Sequence, residues 1–163
     1  VKLLDIRRKT NFAIGALALA AVATAVSLQL IEDLTPCPLC ILQRVFLLGV
    51  SVSCFARGVW PRLKPLSLAA AGFAVACAIT AGQHYYEQTH PLEFSTCAPG
   101  FEAWWNKLAV VDMFPLILKA TGQCMLLDST VLGIPMPLCS LAVALSILTL
   151  IVAQALAGRH TVR

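Results

Sequence analysis

The sequence predicts an all-α membrane protein, a bundle of four transmembrane helices with one long loop on its outer face that carries a short interfacial helix. Three observations carry that prediction. The 163 residues are 59% hydrophobic and 12% charged, with a mean hydropathy of +0.83, too apolar for an ordinary soluble domain. Four stretches, 12–31, 41–60, 65–86 and 138–157, each approach the roughly 20 apolar residues that a helix needs to cross a bilayer core. The basic residues gather at the ends that such an arrangement places on a single side.

The first span contains no Asp, Glu, Lys or Arg and follows Lys2, Arg7, Arg8 and Lys9. A cleaved signal peptide is disfavoured, because its apolar segment runs to about 7–15 residues and this one is longer. The second span carries Arg44 one turn inside its start. An arginine at the bilayer centre costs about 2.5–3.5 kcal/mol on the more lenient scale, and less where it can reach the interface, so this position calls for a reason. The third span contains Ala69, Ala70, Ala71 and Gly72, followed by Ala74, Ala76 and Ala78, small residues that let helices approach closely. The fourth, like the first and third, is free of charge.

Four spans place both termini on one side. Lys2, Arg7, Arg8, Lys9, Arg57, Arg62, Lys64, Arg159 and Arg163, nine of the twelve basic residues, fall there, and that face is therefore expected to be cytoplasmic. The net charge of +4 is thus a topology signal directed at the lipid bilayer, and no nucleic-acid partner is expected. The chain is expected to form one integral membrane domain over 1–163, with outer loops at 32–40 and 87–136.

Function is expected on that outer side, where the long loop lies. Within it Phe101, Trp104, Trp105, Leu108 and Val111 recur at helical spacing, with Glu102, Asn106 and Lys107 between them. One short amphipathic helix, lying on the membrane or packed over the bundle mouth, fits this pattern, with Pro115 ending or kinking it.

Seven cysteines occur, at 37, 40, 54, 77, 97, 124 and 139. Cys54 and Cys77 lie inside apolar spans and read as small packing residues. Cys139 opens the fourth span near the outer interface, where burial is the preferred reading and an exposed, reactive thiol the alternative. Cys37, Cys40, Cys97 and Cys124 fall on the outer side, where disulfides persist.

The run Pro36-Cys37-Pro38-Leu39-Cys40-Ile41-Leu42-Gln43-Arg44 leads from the first outer loop into the second helix. Pairs of the form Cys-x-x-Cys are where proteins lower a thiol pKa. Cys40 is expected in the first helical turn, where free N–H groups and the helix dipole favour an anion. Arg44 follows one turn later and adds fixed positive charge, while Pro38 suits a first turn because its missing N–H has no partner there. A thiolate at Cys40 is the expectation. A bracing disulfide is the competing reading, although so short a closed loop gains least from a cross-link. Zinc held by the four outward cysteines is disfavoured and no metal is expected, since structural sites usually show two closely spaced pairs and 26 residues separate Cys97 from Cys124. Taken alone, Cys97 and Cys124 read as a loop brace; beside the other pair, exchange with a soluble dithiol becomes the better reading. Four cysteines allow three pairings, and connectivity stays open at this point.

Taken together, these residues resemble the DsbB family, quinone-dependent oxidases of the bacterial inner membrane that regenerate the periplasmic dithiol oxidase DsbA. The resemblance covers nearly the whole chain: four spans, Cys37-Pro-Leu-Cys40-Ile-Leu-Gln-Arg44 at the head of the second helix, and Cys97 with Cys124 in a long outer loop. It implies a membrane protein-dithiol:quinone oxidoreductase in which a reduced DsbA-like partner attacks Cys97 and releases Cys124, and electrons pass to Cys37 and Cys40. It further implies that Cys40 faces a quinone, ubiquinone or menaquinone, drawn from the membrane pool, with Arg44 supporting both. Members of the family often carry a basic residue after the third span. The corresponding stretch here is Gln83-His84-Tyr85-Tyr86-Glu87-Gln88, so an interfacial histidine is the preferred reading of His84 over one that contacts the quinone, and its role stays open. The rival readings are a quinone reductase similar to vitamin K epoxide reductase and a non-enzymatic membrane scaffold with structural disulfides. The Cys-x-x-Cys-x-x-x-Arg run favours the DsbB reading over the former.

Overall fold

The architecture comes from a computed structural model that describes residues 2–61, 63, 65–90, 101–122, 130–131 and 133–160. Four long helices dominate: α1 (Lys2–Ile31), α2 (Pro38–Val59), α3 (Pro65–Thr89) and, after the outer loop, the last helix (Met136–His160). Each contains a segment long and apolar enough to cross a membrane: Asp5–Ile31, Pro38–Val59, Pro65–Thr89 and Met136–Ala157. The helices overrun the spans expected from composition, most of all at the start of α1. Hydropathy marks the part of a helix that suits lipid, whereas backbone hydrogen bonding continues into the polar turns beyond it.

Between α3 and the last helix the described residues form α4 (Phe101–Trp105), α5 (Ala109–Met113), α6 (Pro115–Leu118) and a two-stranded ribbon of β1 (Thr130–Val131) and β2 (Ile134–Pro135). The last helix is therefore α7. The single amphipathic helix expected across 101–111 is instead two short helices with a turn at 106–108. The Asn106 side chain explains the break. Its amide donates to the Ala120 carbonyl at 2.8 Å and its oxygen accepts from the Ala120 N–H at 3.2 Å, which ties the turn to a distant strand of backbone. Pro115 opens α6 at a position where its missing N–H costs nothing. The ribbon was not expected; it closes through Gly133 at φ 81°, a left-handed turn position open to glycine.

Helix α2 packs against α1 and α3, and α3 against α7, with a smaller contact between α1 and α7. Each helix contributes one stripe spaced by three or four residues: Ile14, Ala18 and Val22; Leu47, Val50 and Cys54; Ala70, Ala74 and Cys77; Ala144, Ile147 and Ile151. The opposite faces are equally apolar. Val52 is 68% exposed, Leu68 76% and Ile79 67%, as expected where lipid rather than water is the neighbour. Cys54 and Cys77 sit in the stripes as the packing residues they were expected to be.

Candidate active site

The site lies at the end of the bundle where α1 and α3 finish and α2 and α7 begin. Helix α1 stops through Asp33 at φ 50°, with the Leu34 N–H reaching back to the Gln29 carbonyl at 3.0 Å. The chain then turns straight into α2. Cys37 is the N-cap residue, with Pro38 in the first turn, and its sulfur accepts from the Cys40 backbone N–H at 3.3 Å. Cys40 thus stands in the first helical turn, with its sulfur 3.0 Å from that of Cys37. Cys37 is 2% exposed, whereas Cys40 is partly open. The hydrogen bond that Cys37 donates to Cys40, and then burial, hold the Cys37 thiol well above the ordinary thiol range.

Facing the two sulfurs from α3 is His84, 3% exposed. Its Nε2 lies 3.6 Å from Cys37 Sγ and its Nδ1 3.9 Å from Cys40 Sγ. Two buried amides complete its surroundings: Gln43 at 3.3 Å from Nδ1 and Gln88, one turn along α3, at 3.5 Å from Nε2. Each ring nitrogen therefore has one sulfur and one glutamine beside it. Sequence reading had set His84 aside as an interfacial residue. The available signal was the pairing of His84 with Gln88 at i, i+4 near the end of an otherwise apolar span, where a polar residue needs a partner inside the bundle.

Arg44 is 6% exposed, and its guanidinium points toward α1. It donates to Gln29 Oε1 at 2.7 Å, to the Ile117 carbonyl at 3.4 Å and to the Ala25 carbonyl at 3.4 Å. A buried guanidinium needs acceptors for its fixed fork of donors, and α1 with the end of α6 supplies them. Its contact to the Cys40 sulfur is through the shared cavity rather than a hydrogen bond. That cavity, about 330 Å³, is walled by α1 and α7 through residues such as Leu17, Leu28 and Val143, and Cys40, Gln43, Arg44 and His84 line it from α2 and α3. Cys139 lines it as well and is partly buried.

Cys97 and Cys124 lie outside the described residues. The chain that leads to Cys124 is nevertheless fixed. The N–H groups of Thr121 and Gly122 both donate to the Pro36 carbonyl at 3.0 Å, one residue before Cys37. A Cβ on Gly122 would run into the Thr35 carbonyl oxygen. Only glycine permits so close an approach of the two backbones.

Comparison with known proteins shows the family. The family described as "Disulfide bond formation protein DsbB" matches residues 7–154. The chain belongs to the DsbB family. Among its relatives, the disulfide bond formation protein B of Acidovorax sp. (strain JS42) is 34% identical over 128 residues, covering 74% of this chain and 71% of that protein. The protein of the same name from Paracidovorax citrulli (strain AAC00-1) is 32% identical, covering 77% and 74%. Disulfide bond formation protein B 2 of Burkholderia lata is 33% identical, covering 82% and 80%. As a member of that family, this chain is a multi-pass membrane protein with a redox role in disulfide formation, and its four-helix architecture is that of the family.

Proposed function

We propose that this chain reoxidises a periplasmic DsbA-like dithiol protein and delivers the electrons to a membrane quinone. The observation that carries the reading is the cavity itself: an apolar chamber between helices whose polar end is made by Cys40, Gln43, Arg44 and His84. Its volume lies at the small end of the range for ligand pockets, about 300–1,000 Å³, which fits a substituted quinone ring. The polar wall offers the Arg44 guanidinium and the His84 ring toward a ring oxygen, and the apolar walls suit the rest of the molecule. A bound quinone accepts two electrons and two protons.

The relay begins when a thiolate of the reduced partner attacks Cys97, breaking the Cys97–Cys124 bond and releasing Cys124. The partner's second thiol then displaces Cys97, leaving the partner oxidised and both loop thiols reduced. Their electrons pass to the Cys37–Cys40 pair by a second exchange. Tethering of 121–122 to Pro36 supports this step, because it holds the chain leading to Cys124 against the residue beside Cys37. In the reduced pair the proton on Cys37 leaves Cys40 as the electron-rich sulfur on the cavity wall. With a quinone bound, closing the Cys37–Cys40 bond would give it two electrons; the Cys37 proton would pass by way of the His84 ring at 3.6 Å and the second proton would come from solvent. Positive charge at Arg44 favours negative charge developing there. Both termini lie on the cytoplasmic side in this reading, following the basic residues, and the cysteine loops face the periplasm.

The test is quinone reduction by the purified protein with a reduced DsbA-like donor, comparing wild type with Cys40→Ser and Cys97→Ser. Wild type should consume quinone, both variants should fall to background, and Cys40→Ser should still trap a mixed disulfide with the donor. Absence of quinone loss with any dithiol donor would overturn the reading.

A further inference from the structure

Spacing along the chain argues against zinc on the four outward cysteines, yet folding brings a different ligand set together. Cys37, Cys40 and His84 each offer one ligand atom, and these atoms lie within 4.8 Å of one another. We infer that the reduced Cys37–Cys40 pair and His84 form a redox-gated zinc site.

The geometry is close to what the ion needs. With Zn–S near 2.3 Å and Zn–N near 2.0–2.1 Å, tetrahedral angles place two sulfurs about 3.8 Å apart and sulfur about 3.6 Å from nitrogen. Here His84 Nε2 lies 3.6 Å from Cys37 Sγ and Nδ1 3.9 Å from Cys40 Sγ; a single ligating nitrogen and both sulfurs lie within 4.8 Å of one another, so the ring must move by about 1 Å toward the second sulfur. The two sulfurs, at 3.0 Å, must open by less than ~1 Å to admit the ion, and Cys40, partly open to the cavity, has room to move.

Charge and surroundings suit a dication. Two thiolates and one Zn²⁺ sum to zero, so a buried site acquires no net charge, and the Cys37 proton leaves as the ion binds. Zinc-ligating histidines normally have a hydrogen-bond partner on the other ring nitrogen. Here a glutamine stands beside each ring nitrogen, Gln43 at Nδ1 and Gln88 at Nε2; both present the amide nitrogen, and turning the amide over brings its oxygen to accept from the ring N–H that is not ligating. Three protein ligands leave a fourth position for water or for a group entering the cavity that Cys40 and His84 line.

Oxidation state is the gate. Once Cys37 and Cys40 join in a disulfide, both thiolate ligands are gone, so the ion binds only the reduced chain. While bound, it withholds the pair from electron transfer. The inference needs only a reduced pair and does not rest on the quinone reading.

The experiment is equilibrium dialysis of the full chain in detergent against chelator-buffered Zn²⁺, with bound zinc counted by mass spectrometry. A Cys97→Ser/Cys124→Ser variant removes the other outward thiols. It should hold one zinc per chain when reduced and none when Cys37 and Cys40 are oxidised, and His84→Gln in that background should weaken binding by at least ~10-fold. Equal zinc in reduced and oxidised forms, or unchanged affinity in His84→Gln, would overturn the site. Should His84→Gln not fold, Co²⁺ bound to the reduced Cys97→Ser/Cys124→Ser chain decides. Strong tetrahedral d–d bands with thiolate charge transfer support an S₂N site, and a weak octahedral spectrum overturns it.

Discussion

At the end of the bundle where α2 begins, Gln43, Arg44, His84 and Gln88 are all buried, and each has hydrogen-bonding partners from another helix or from its own. At the opposite end, aromatic rings rest on glycines. Phe12 covers Gly58, Phe55 covers Gly15, and the two rings lie 5.9 Å apart. Among the described residues, the one buried side-chain polar atom without a partner, Gln154 Nε2, belongs to that second region, where Arg7 reaches the Gln154 carbonyl. One end satisfies an exacting set of polar groups around reactive sulfurs; the other needs only shape. Packing against small residues is how membrane helices associate where lipid is as apolar as the protein. Buried polar networks in the same setting hold specific geometry, and losing one member leaves the rest unsatisfied. Substitutions at the two ends should therefore fail in different ways.

The largest effect is expected at Arg44. Arg44→Ala removes the guanidinium from the cavity lining and leaves Gln29 Oε1 without its 2.7 Å donor. Quinone reduction should fall by ~10²-fold or more, the scale of losing one preorganised electrostatic contact. Thiol exchange with the donor at Cys97 should stay within about twofold, because a residue acting only in the second half-reaction leaves the first untouched. Stopped-flow measurement of each half-reaction separates the two, and equal loss of both would count against the assignment.

A smaller loss is expected where the outer loop meets α2. Gly122→Ala places a methyl group against the Thr35 carbonyl, so 121–122 must lift from Pro36. Overpacking of this kind costs about 1–3 kcal/mol, and each ~1.4 kcal/mol is tenfold in rate. Transfer between the two cysteine pairs should slow about tenfold. Donor exchange at Cys97 and quinone reduction by a chemically reduced Cys37–Cys40 pair should both remain. Trapping the redox state of each pair after mixing with reduced donor reads this directly; an unchanged transfer rate would show that the seat on Pro36 has no part in the relay.

The two regions also differ in how far the sequence revealed them. The spans were legible because twenty apolar residues have few other uses, and the head of α2 because Cys37, Pro38, Cys40 and Arg44 are contiguous and obey helix-start chemistry. His84 was not, since its meaning depends on α3 returning to stand beside α2, and nothing local to residue 84 reports a sulfur 44 positions earlier. Arg44 was legible as an unusual residue, but its acceptors on α1 and at Ile117 come from chain that only the fold brings near. The break at Asn106 was hidden for the same reason: helical periodicity continues through it, while the Ala120 backbone that competes for its side chain is fourteen residues away.

The smallest effect on chemistry is expected at the far end, and there stability should change instead. Gly58→Leu forces its side chain into space held by the Phe12 ring, which already lies 2.9 Å from where a Cβ would be. Phe12 must then leave its place between α1 and α2, carrying with it the contact to Phe55 and the Arg8 guanidinium stacked 5.8 Å from its ring centre. A loss of about 1–3 kcal/mol in unfolding free energy is expected, measured as an earlier transition in mixed micelles. Turnover per folded molecule should remain within about twofold of wild type, because no residue of the cysteine, histidine and arginine cluster touches this notch. A drop in turnover beyond the loss of folded protein would mean that the apolar end helps set the geometry of the polar one, and the division between the two ends would fail.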